Sequence, residues 1–229
     1  MGRLSIEPAV YFRNIGHRPD LSRWQWAEQD AMARTRAVDF EEKQRGILAN
    51  AAAVFAEMGM EKASMSMIAS RSNVSKALLY HYYPSKDALI FDIVRTHLTE
   101  LDTAIAAADE TEAAPQERLR RLVRAILESY RGADNEHKVQ LNGTSALSAE
   151  QLSELKTIER RIVKRFSRVI IEVNPRLNDE RPLLTPVTMS LFGMMNWVYM
   201  WFRADGPISR DEYADIATTL LLEGVKAVR

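Results

Sequence analysis

The chain has no cysteine among its 229 residues, which excludes disulfides, thiolate metal sites and cysteine nucleophiles. This composition fits a reducing compartment, and we expect a cytoplasmic protein. Lys plus Arg and Asp plus Glu both number 31, so the overall charge indicates no class of partner and any basic surface must be local. An apolar fraction of 46% with 27% charged residues is typical of a globular protein rather than a disordered chain.

The motifs of the common enzyme classes are also missing. The four histidines are scattered, and the sequence holds no HExxH, no G-x-G-x-x-G and no P-loop pattern. We therefore expect a protein that is not an enzyme and that holds neither a metal nor a cofactor.

One uncharged run, residues 182–202, has nearly the length of a membrane span. It contains Thr185, Gly193 and Asn196, and Arg203 follows it directly. A buried helix or a subunit interface is therefore favoured, with no membrane contact. A membrane-associated helical protein is the remote alternative.

Helical periodicity dominates the chain after residue 40, and strand patterns are nearly absent, which predicts an all-α fold. A first apolar stripe ends at Gly59, which we expect to stop the helix. Ser209 and Glu212 form a capping box that opens the last helix. The longer helices between them are predicted at residues 118–131, 153–173 and 183–202.

The segment from Ser64 to Tyr83 has the spacing of a helix-turn-helix. Ser64 and Ser75 are N-cap residues for two short helices, and Asn73 in the turn tolerates a left-handed backbone. No Asp or Glu lies between Lys62 and Lys86. Hydroxyls and cations without carboxylates suit phosphate contacts, so we predict that this segment binds DNA.

The same residues carry a family resemblance. The stretch "SMSMIASRSNVSKALLYHYYPSKDAL" (residues 64–89) resembles the DNA-binding domain of the TetR family. Asn73 replaces the usual turn glycine, Ala77 and Leu78 stand where Gly and Thr are common, and Tyr83 replaces Phe. The resemblance implies an N-terminal three-helix DNA-binding domain with a helix-turn-helix, followed by a C-terminal helical domain for ligand binding and dimerisation.

By this resemblance, Tyr80 and Tyr82 face the DNA backbone, Tyr83 packs inward and Lys86 reaches a phosphate. His81 either donates to a phosphate or is solvated. An arm with two arginines either enters a neighbouring groove or is a solvated tail. The predicted DNA-binding residues are Arg34, Arg36, Ser64, Ser75, Lys76, Ala77, Leu78, Tyr80, His81, Tyr82 and Lys86.

The resemblance further implies a homodimer formed by the two C-terminal helices, 183–202 and 211–225, on a palindromic operator in double-stranded DNA. It also implies a cavity for a small-molecule effector. Polar, adaptable or basic residues of the C-terminal half are the candidates, with packing in the core or a solvated face as the alternative for each. They are Tyr130, His137, Gln140, Asn142, Arg161, Arg165, Arg168, Met194, Met195, Trp197, Tyr199 and Trp201.

The C-terminal half also resembles the repressors of phenylacetate degradation in "EHKVQLN" (136–142) and in the segment 183–225. This implies a repressor of a catabolic operon that an acyl-CoA, phenylacetyl-CoA above all, releases from DNA. A repressor of efflux or of another metabolic gene, responding to a hydrophobic small molecule, is the alternative, and an activator stays open.

The expected organisation has three parts. Residues 1–31 form an N-terminal extension that is either a real arm or sequence upstream of a second start at Met32. Residues 41–101 form the DNA-binding domain, and residues 102–229 form the effector-binding and dimerisation domain.

Overall fold

The computed structural model describes residues 21–179 and 181–228, with side chains from residue 38 onward. Every regular element in these residues is helical, which confirms the all-α prediction. The helices are α1 (Leu21–Met58), α2 (Met65–Arg71), α3 (Lys76–Tyr82), α4 (Lys86–Ala108), α5 (Pro115–Ser129), α6 (Asp134–Asn142), α7 (Ala149–Val173), α8 (Leu184–Asn196), α9 (Val198–Trp201) and α10 (Arg210–Val225).

The described part of the chain divides into two units, with the border between residues 43 and 44. The domain border predicted at 101–102 lies inside helix α4, and this division stays a prediction. The predicted extension, residues 1–31, has no described side chains, and Arg34 and Arg36 also lie outside the described side chains.

Serine residues cap the N-termini of α2, α3 and α4, and the first two caps agree with the sequence prediction. The hydroxyl oxygens of Ser64, Ser75 and Ser85 accept hydrogen bonds from the backbone N–H groups of Met67, Leu78 and Ala88. These bonds satisfy donors that have no partner inside the first turn of a helix. Asn73 takes a φ of 52° in the turn between α2 and α3, and Gly59 takes 79° directly after α1. Both left-handed positions agree with the sequence prediction.

Helix α4 is the centre of the second unit, where it contacts α5, α6 and α7. Its buried stripe includes Leu89, Ile93, Leu98 and Leu101. Helix α10 packs against α5 and α8. Helix α4 thus follows the helix-turn-helix segment directly in the chain and packs against α5, α6 and α7.

The continuous helix predicted over 183–202 is wrong, because α8 ends at Asn196 and a single turn, α9, follows Trp197. In a continuous helix the Met200 N–H would donate to the Asn196 carbonyl. Here the Asn196 carbonyl lies 3.2 Å from His137 Nε2, and the Met200 N–H donates to the Trp197 carbonyl. A side chain from α6 thus takes the place of a helical hydrogen bond. None of the helices in the described ranges is long and apolar enough to cross a membrane.

Candidate DNA-binding surface and ligand cavity

One face of helix α3 is exposed, and the other is buried in the core. Leu79 is fully buried, whereas Lys76, Ala77, Tyr80 and His81 are exposed. Tyr80 keeps 52% of its surface accessible. This face has the groups that phosphate and base-edge contacts require, namely a cation, a hydroxyl and a short side chain.

Tyr83, at the end of α3, is buried as predicted, and its hydroxyl belongs to a polar cluster. The hydroxyl donates to Asp92 Oδ2 at 2.8 Å and accepts from Gln44 Nε2 at 3.1 Å. Arg95 Nε donates to the other oxygen of Asp92 at 3.1 Å. Burial is the main cause that raises the pKa of Tyr83, so the hydroxyl keeps its proton. The cluster ties the end of α3 to α4 and to the C-terminal part of α1.

The remaining residues predicted to contact DNA differ in solvent exposure and in whether they already have a partner in the chain. Lys86 Nζ donates to the Met60 carbonyl at 3.0 Å, so this cation already has a partner in the chain. Tyr82 is half-buried against the core, and Ser64 and Leu78 are also half-buried. Lys76 is exposed and has no ion pair in the described side chains. The DNA-contact roles stay predictions.

A cavity of about 280 Å³ lies among α4, α5, α6, α7 and α8. Most of its wall is apolar, with four polar side chains. It is lined by Leu98, Leu101, Ile126, Tyr130, Gln140, Leu141, Glu159, Ile162, Val163, Met189, Phe192 and Asn196. An apolar wall with a few placed polar groups is typical of small-molecule sites.

The polar end of the cavity is a hydrogen-bonded aromatic cluster. Tyr130 donates from its hydroxyl to Asn196 Oδ1 at 2.8 Å. The His137 ring packs on Tyr130 with 4.4 Å between centroids and meets the Tyr199 ring edge-on at 5.5 Å. Burial lowers the pKa of His137, which favours the neutral imidazole. His97, also in contact with this cluster, has its pKa lowered to about 4, chiefly by burial.

The structure brings together only part of the predicted effector set. Tyr130 and Gln140 line the cavity, while His137 and Tyr199 lie behind its wall. Met195 is fully buried in the core, Trp197 and Trp201 are exposed, and Asn142 donates to the Lys138 carbonyl of its own helix. Arg168 is exposed, and Met194 lies between α8 and α10.

Most lining residues escaped sequence reasoning. Leu98, Ile162 and Phe192 have the residue types and the helical periodicity of core residues, so the sequence pattern does not distinguish them from the core. The polar side chains of Glu159 and Asn196, which lie among apolar positions of α7 and α8, are the sequence features that could have indicated the cavity.

Two of the predicted basic residues are bonded to carboxylates in α4 and directly after it. Arg161 Nε donates to Asp102 at 2.9 Å, and Arg165 Nη1 donates to the Asp109 carboxylate at 3.3 Å. Arg118 of α5 also binds Asp109, with 3.0 Å between Nη2 and Oδ1. The charges of Arg161 and Arg165 are thereby matched within the protein.

Comparison with known proteins adds the family. Residues 47–93 match the model for bacterial regulatory proteins of the tetR family, and residues 112–225 match a tetracyclin repressor-like C-terminal domain. A TetR-family regulator from Bordetella parapertussis 12822 is 32% identical, with a TM-score of 0.73 over 80% of this chain and 95% of its own. The chain belongs to the TetR family of transcriptional regulators.

Two further relatives of this TetR-family chain are informative. AibR, solved in complex with isovaleryl coenzyme A and operator DNA, is 26% identical, with a TM-score of 0.69 over 79% of this chain and 98% of its own. The HTH-type transcriptional repressor Rv3405c of Mycobacterium tuberculosis is 38% identical over 93 residues. That match covers 39% of this chain and half of the curated relative. The family consists of DNA-binding transcriptional regulators.

The last helices of this TetR-family chain expose several large apolar side chains. Met189, Trp197 and Leu220 keep 50%, 58% and 60% of their surface accessible. An apolar groove runs between α8 and α10. It is lined by Val187, Ser190, Met194, Leu220, Leu221, Gly224, Val225 and Val228. An exposed apolar groove with Leu220 in its wall is the kind of surface that marks interaction sites on monomers.

Proposed function

We propose that this TetR-family regulator is a homodimeric repressor that an acyl-CoA, with phenylacetyl-CoA as the best candidate, releases from a palindromic operator. One observation carries the proposal. Helix α4 holds Asp92, which binds the end of α3 through Tyr83, and the same helix walls the cavity with Leu98 and Leu101. A ligand that displaces α4 therefore acts directly on the DNA-reading helix.

The DNA-binding part of the proposal is supported by the open face of α3. Tyr80 and Lys76 are assigned to the phosphate backbone, and Ala77 at the tip of α3 leaves room for base edges. Two such helices in a dimer contact half-sites about 34–36 Å apart, one turn of DNA, or a longer related spacing.

The dimer is assigned to the apolar surface of α8 and α10. Leu220 is the most exposed large apolar side chain of α10, and Gly224 next to it permits close helix approach. Leu220→Asp places charges at this contact, and we expect the variant to be a monomer with weakened operator binding. A mass measurement at micromolar concentration showing a monomer for the unchanged protein contradicts this part of the proposal.

The effector class is supported by the cavity and by the relative solved with an acyl-CoA. A volume of about 280 Å³ is at the small end of ligand sites and suits a short or aryl acyl group rather than a long chain. The coenzyme portion is too large for this space and must lie outside, on the surface of the C-terminal helices.

A neutral hydrophobic effector is the second candidate, and one observation favours it. Arg161 and Arg165, the basic candidates that could bind the coenzyme phosphates, are already bonded to Asp102 and Asp109. A ligand without phosphates needs no cation, and such a regulator would control efflux or another metabolic gene.

The test is release of the protein from operator DNA by phenylacetyl-CoA, phenylacetate, coenzyme A and a long-chain acyl-CoA, titrated in parallel. We expect only phenylacetyl-CoA to release the DNA, with a weakening of roughly 5–150-fold for a coupling of about 1–3 kcal/mol. Release by phenylacetate alone contradicts the acyl-CoA effector and favours a small hydrophobic ligand.

A further inference from the structure

Helix α7 presents two parallel rows of side chains next to the cavity. Lys156, Arg160 and Lys164 follow one another at intervals of four residues. Eight residues of helix make this cationic row about 12 Å long. The neighbouring row consists of Glu159, Val163 and Ser167. Both rows line a shallow groove along the outer surface of α7.

Glu159 and Val163 are shared by the groove on α7 and the ligand cavity. They line the groove on α7 and also the wall of the cavity, so the two spaces meet at these side chains. Glu159 is half-buried, and the Gln140 side-chain amide lies 3.4 Å from its Oε1. A carboxylate thus stands where the apolar cavity opens to the cationic row.

The cations of this row are available, in contrast to those on the other side of the same helix. Within the described side chains, Lys156, Arg160 and Lys164 make no ion pair, and all three are exposed. Arg161, the direct neighbour of Arg160, points elsewhere and binds Asp102. Two adjacent arginines on α7 therefore have different surroundings.

We propose, building on the acyl-CoA function above, that side chains of α7 select the effector by where its negative charges lie. Glu159 rejects a ligand with a negative charge at the cavity mouth, and the row of Lys156, Arg160 and Lys164 binds negative charge further out. The site then selects a molecule with an apolar group, an uncharged link and distant phosphates.

The chemistry of a thioester fits this arrangement and that of a free acid does not. A free acid with its apolar end in the cavity brings its carboxylate to the mouth, where like charges repel in a partly desolvated place. A thioester is neutral at that position, and its phosphates lie several bonds away. Phosphates bind both the fork of an arginine and the point charge of a lysine.

The experiment measures binding to the full chain by calorimetry for three ligands: phenylacetyl-CoA, phenylacetate and the neutral phenylacetamide. Glu159→Gln removes the charge and keeps the shape. We expect it to strengthen phenylacetate binding about tenfold or more, with changes below about threefold for the amide and the thioester. Weak phenylacetate binding that Glu159→Gln leaves unchanged overturns the proposal.

Arg160→Gln and Arg161→Gln are the matched pair for the cationic row. Arg160→Gln should weaken phenylacetyl-CoA about tenfold and leave phenylacetamide unchanged, while Arg161→Gln should affect neither ligand beyond about threefold. An equal loss for the two arginines, or a loss confined to Arg161→Gln, contradicts the assignment of the row.

The amide separates this inference from the proposed function. If the unchanged protein binds phenylacetamide and rejects both phenylacetate and phenylacetyl-CoA, the acyl-CoA effector is wrong and the role of Glu159 stands. If it binds the thioester but Glu159→Gln does not admit the acid, the effector stands and the role of Glu159 is wrong. Binding of none of the three ligands overturns both.

Discussion

Tyrosine-to-phenylalanine changes at two positions near each other test the division of α3 into an anchored face and a reading face. Each change removes one hydroxyl and nothing else. At Tyr83 the hydroxyl is buried against Asp92, and at Tyr80 it is exposed and has no hydrogen bond within the described residues. The same chemical change should therefore affect stability at one position and DNA affinity at the other.

The magnitude at Tyr83 follows from its partners. A hydrogen bond to a charged group contributes about 1.5–3 kcal/mol. Asp92 is only 7% exposed, so water replaces the lost donor poorly, although Gln44 and Arg95 keep their contacts with the carboxylate. We expect Tyr83→Phe to lower the free energy of unfolding by about 1.5–3 kcal/mol, which is a fall in Tm of about 3–12 °C for a chain of this size.

At Tyr80 the expected pattern is reversed. Tyr80→Phe should change the free energy of unfolding by less than about 0.5 kcal/mol, as is usual for exposed positions. Operator affinity should fall about tenfold or more, because a hydrogen bond to a charged phosphate is lost. This weakening should be similar for all DNA sequences, since a phosphate contact carries no base information.

The assays are thermal unfolding at one fixed protein concentration and DNA binding by fluorescence anisotropy. A fixed concentration is needed because the Tm of a dimer depends on it. An unchanged Tm for Tyr83→Phe refutes the structural role of the cluster around Asp92. A Tyr80→Phe variant that keeps full operator affinity refutes the assignment of the Tyr80 hydroxyl to a DNA contact.

Three other outcomes are expected. Lys86→Ala should weaken DNA binding and reduce the salt slope by about 1 if the lysine leaves the Met60 carbonyl for a phosphate, whereas a lower Tm with an unchanged slope assigns it to that carbonyl alone. His97, with a folded pKa of about 4, binds protons more weakly than in the unfolded chain, so the free energy of unfolding should fall by up to about 3 kcal/mol as the pH drops from 6.5 to 4. Denaturant titrations should show a smaller fall for His97→Gln, and an identical fall contradicts this origin. Removal of residues 1–31 should leave folding and dimerisation intact, and a large loss of Tm in that variant contradicts this expectation.

The helix-turn-helix was predictable because its signals are local. Ser64, Ser75 and Ser85 each bond to a backbone N–H three residues away, and Asn73, a residue type that tolerates the left-handed backbone, adopts it in the turn. The inward position of Tyr83 was also predicted. Its partner Asp92 was not, because nothing in a linear pattern indicates which carboxylate a buried hydroxyl meets.

The features that failed or escaped prediction depend on contacts between distant parts of the chain. At the helix break after Asn196, the ring of His137 lies at hydrogen-bond distance from the Asn196 carbonyl. The sequence has no Gly or Pro at the break that would have predicted it. Arg161, Arg165 and Arg168 of α7 were candidates on residue type alone. Which cations of α7 are paired depends on Asp102 of α4 and on Asp109 directly after it, and the sequence of α7 does not contain that information.

The central claim is that one ligand site and one DNA site share helix α4, and thermodynamic linkage tests it most directly. Operator affinity is measured with and without saturating phenylacetyl-CoA, and phenylacetyl-CoA affinity is measured with and without saturating operator DNA, selected from random sequence. Linkage requires the two ratios to be equal, and we expect both to lie at roughly 5–150-fold. Phenylacetyl-CoA binding that is equally tight with and without operator DNA contradicts the account.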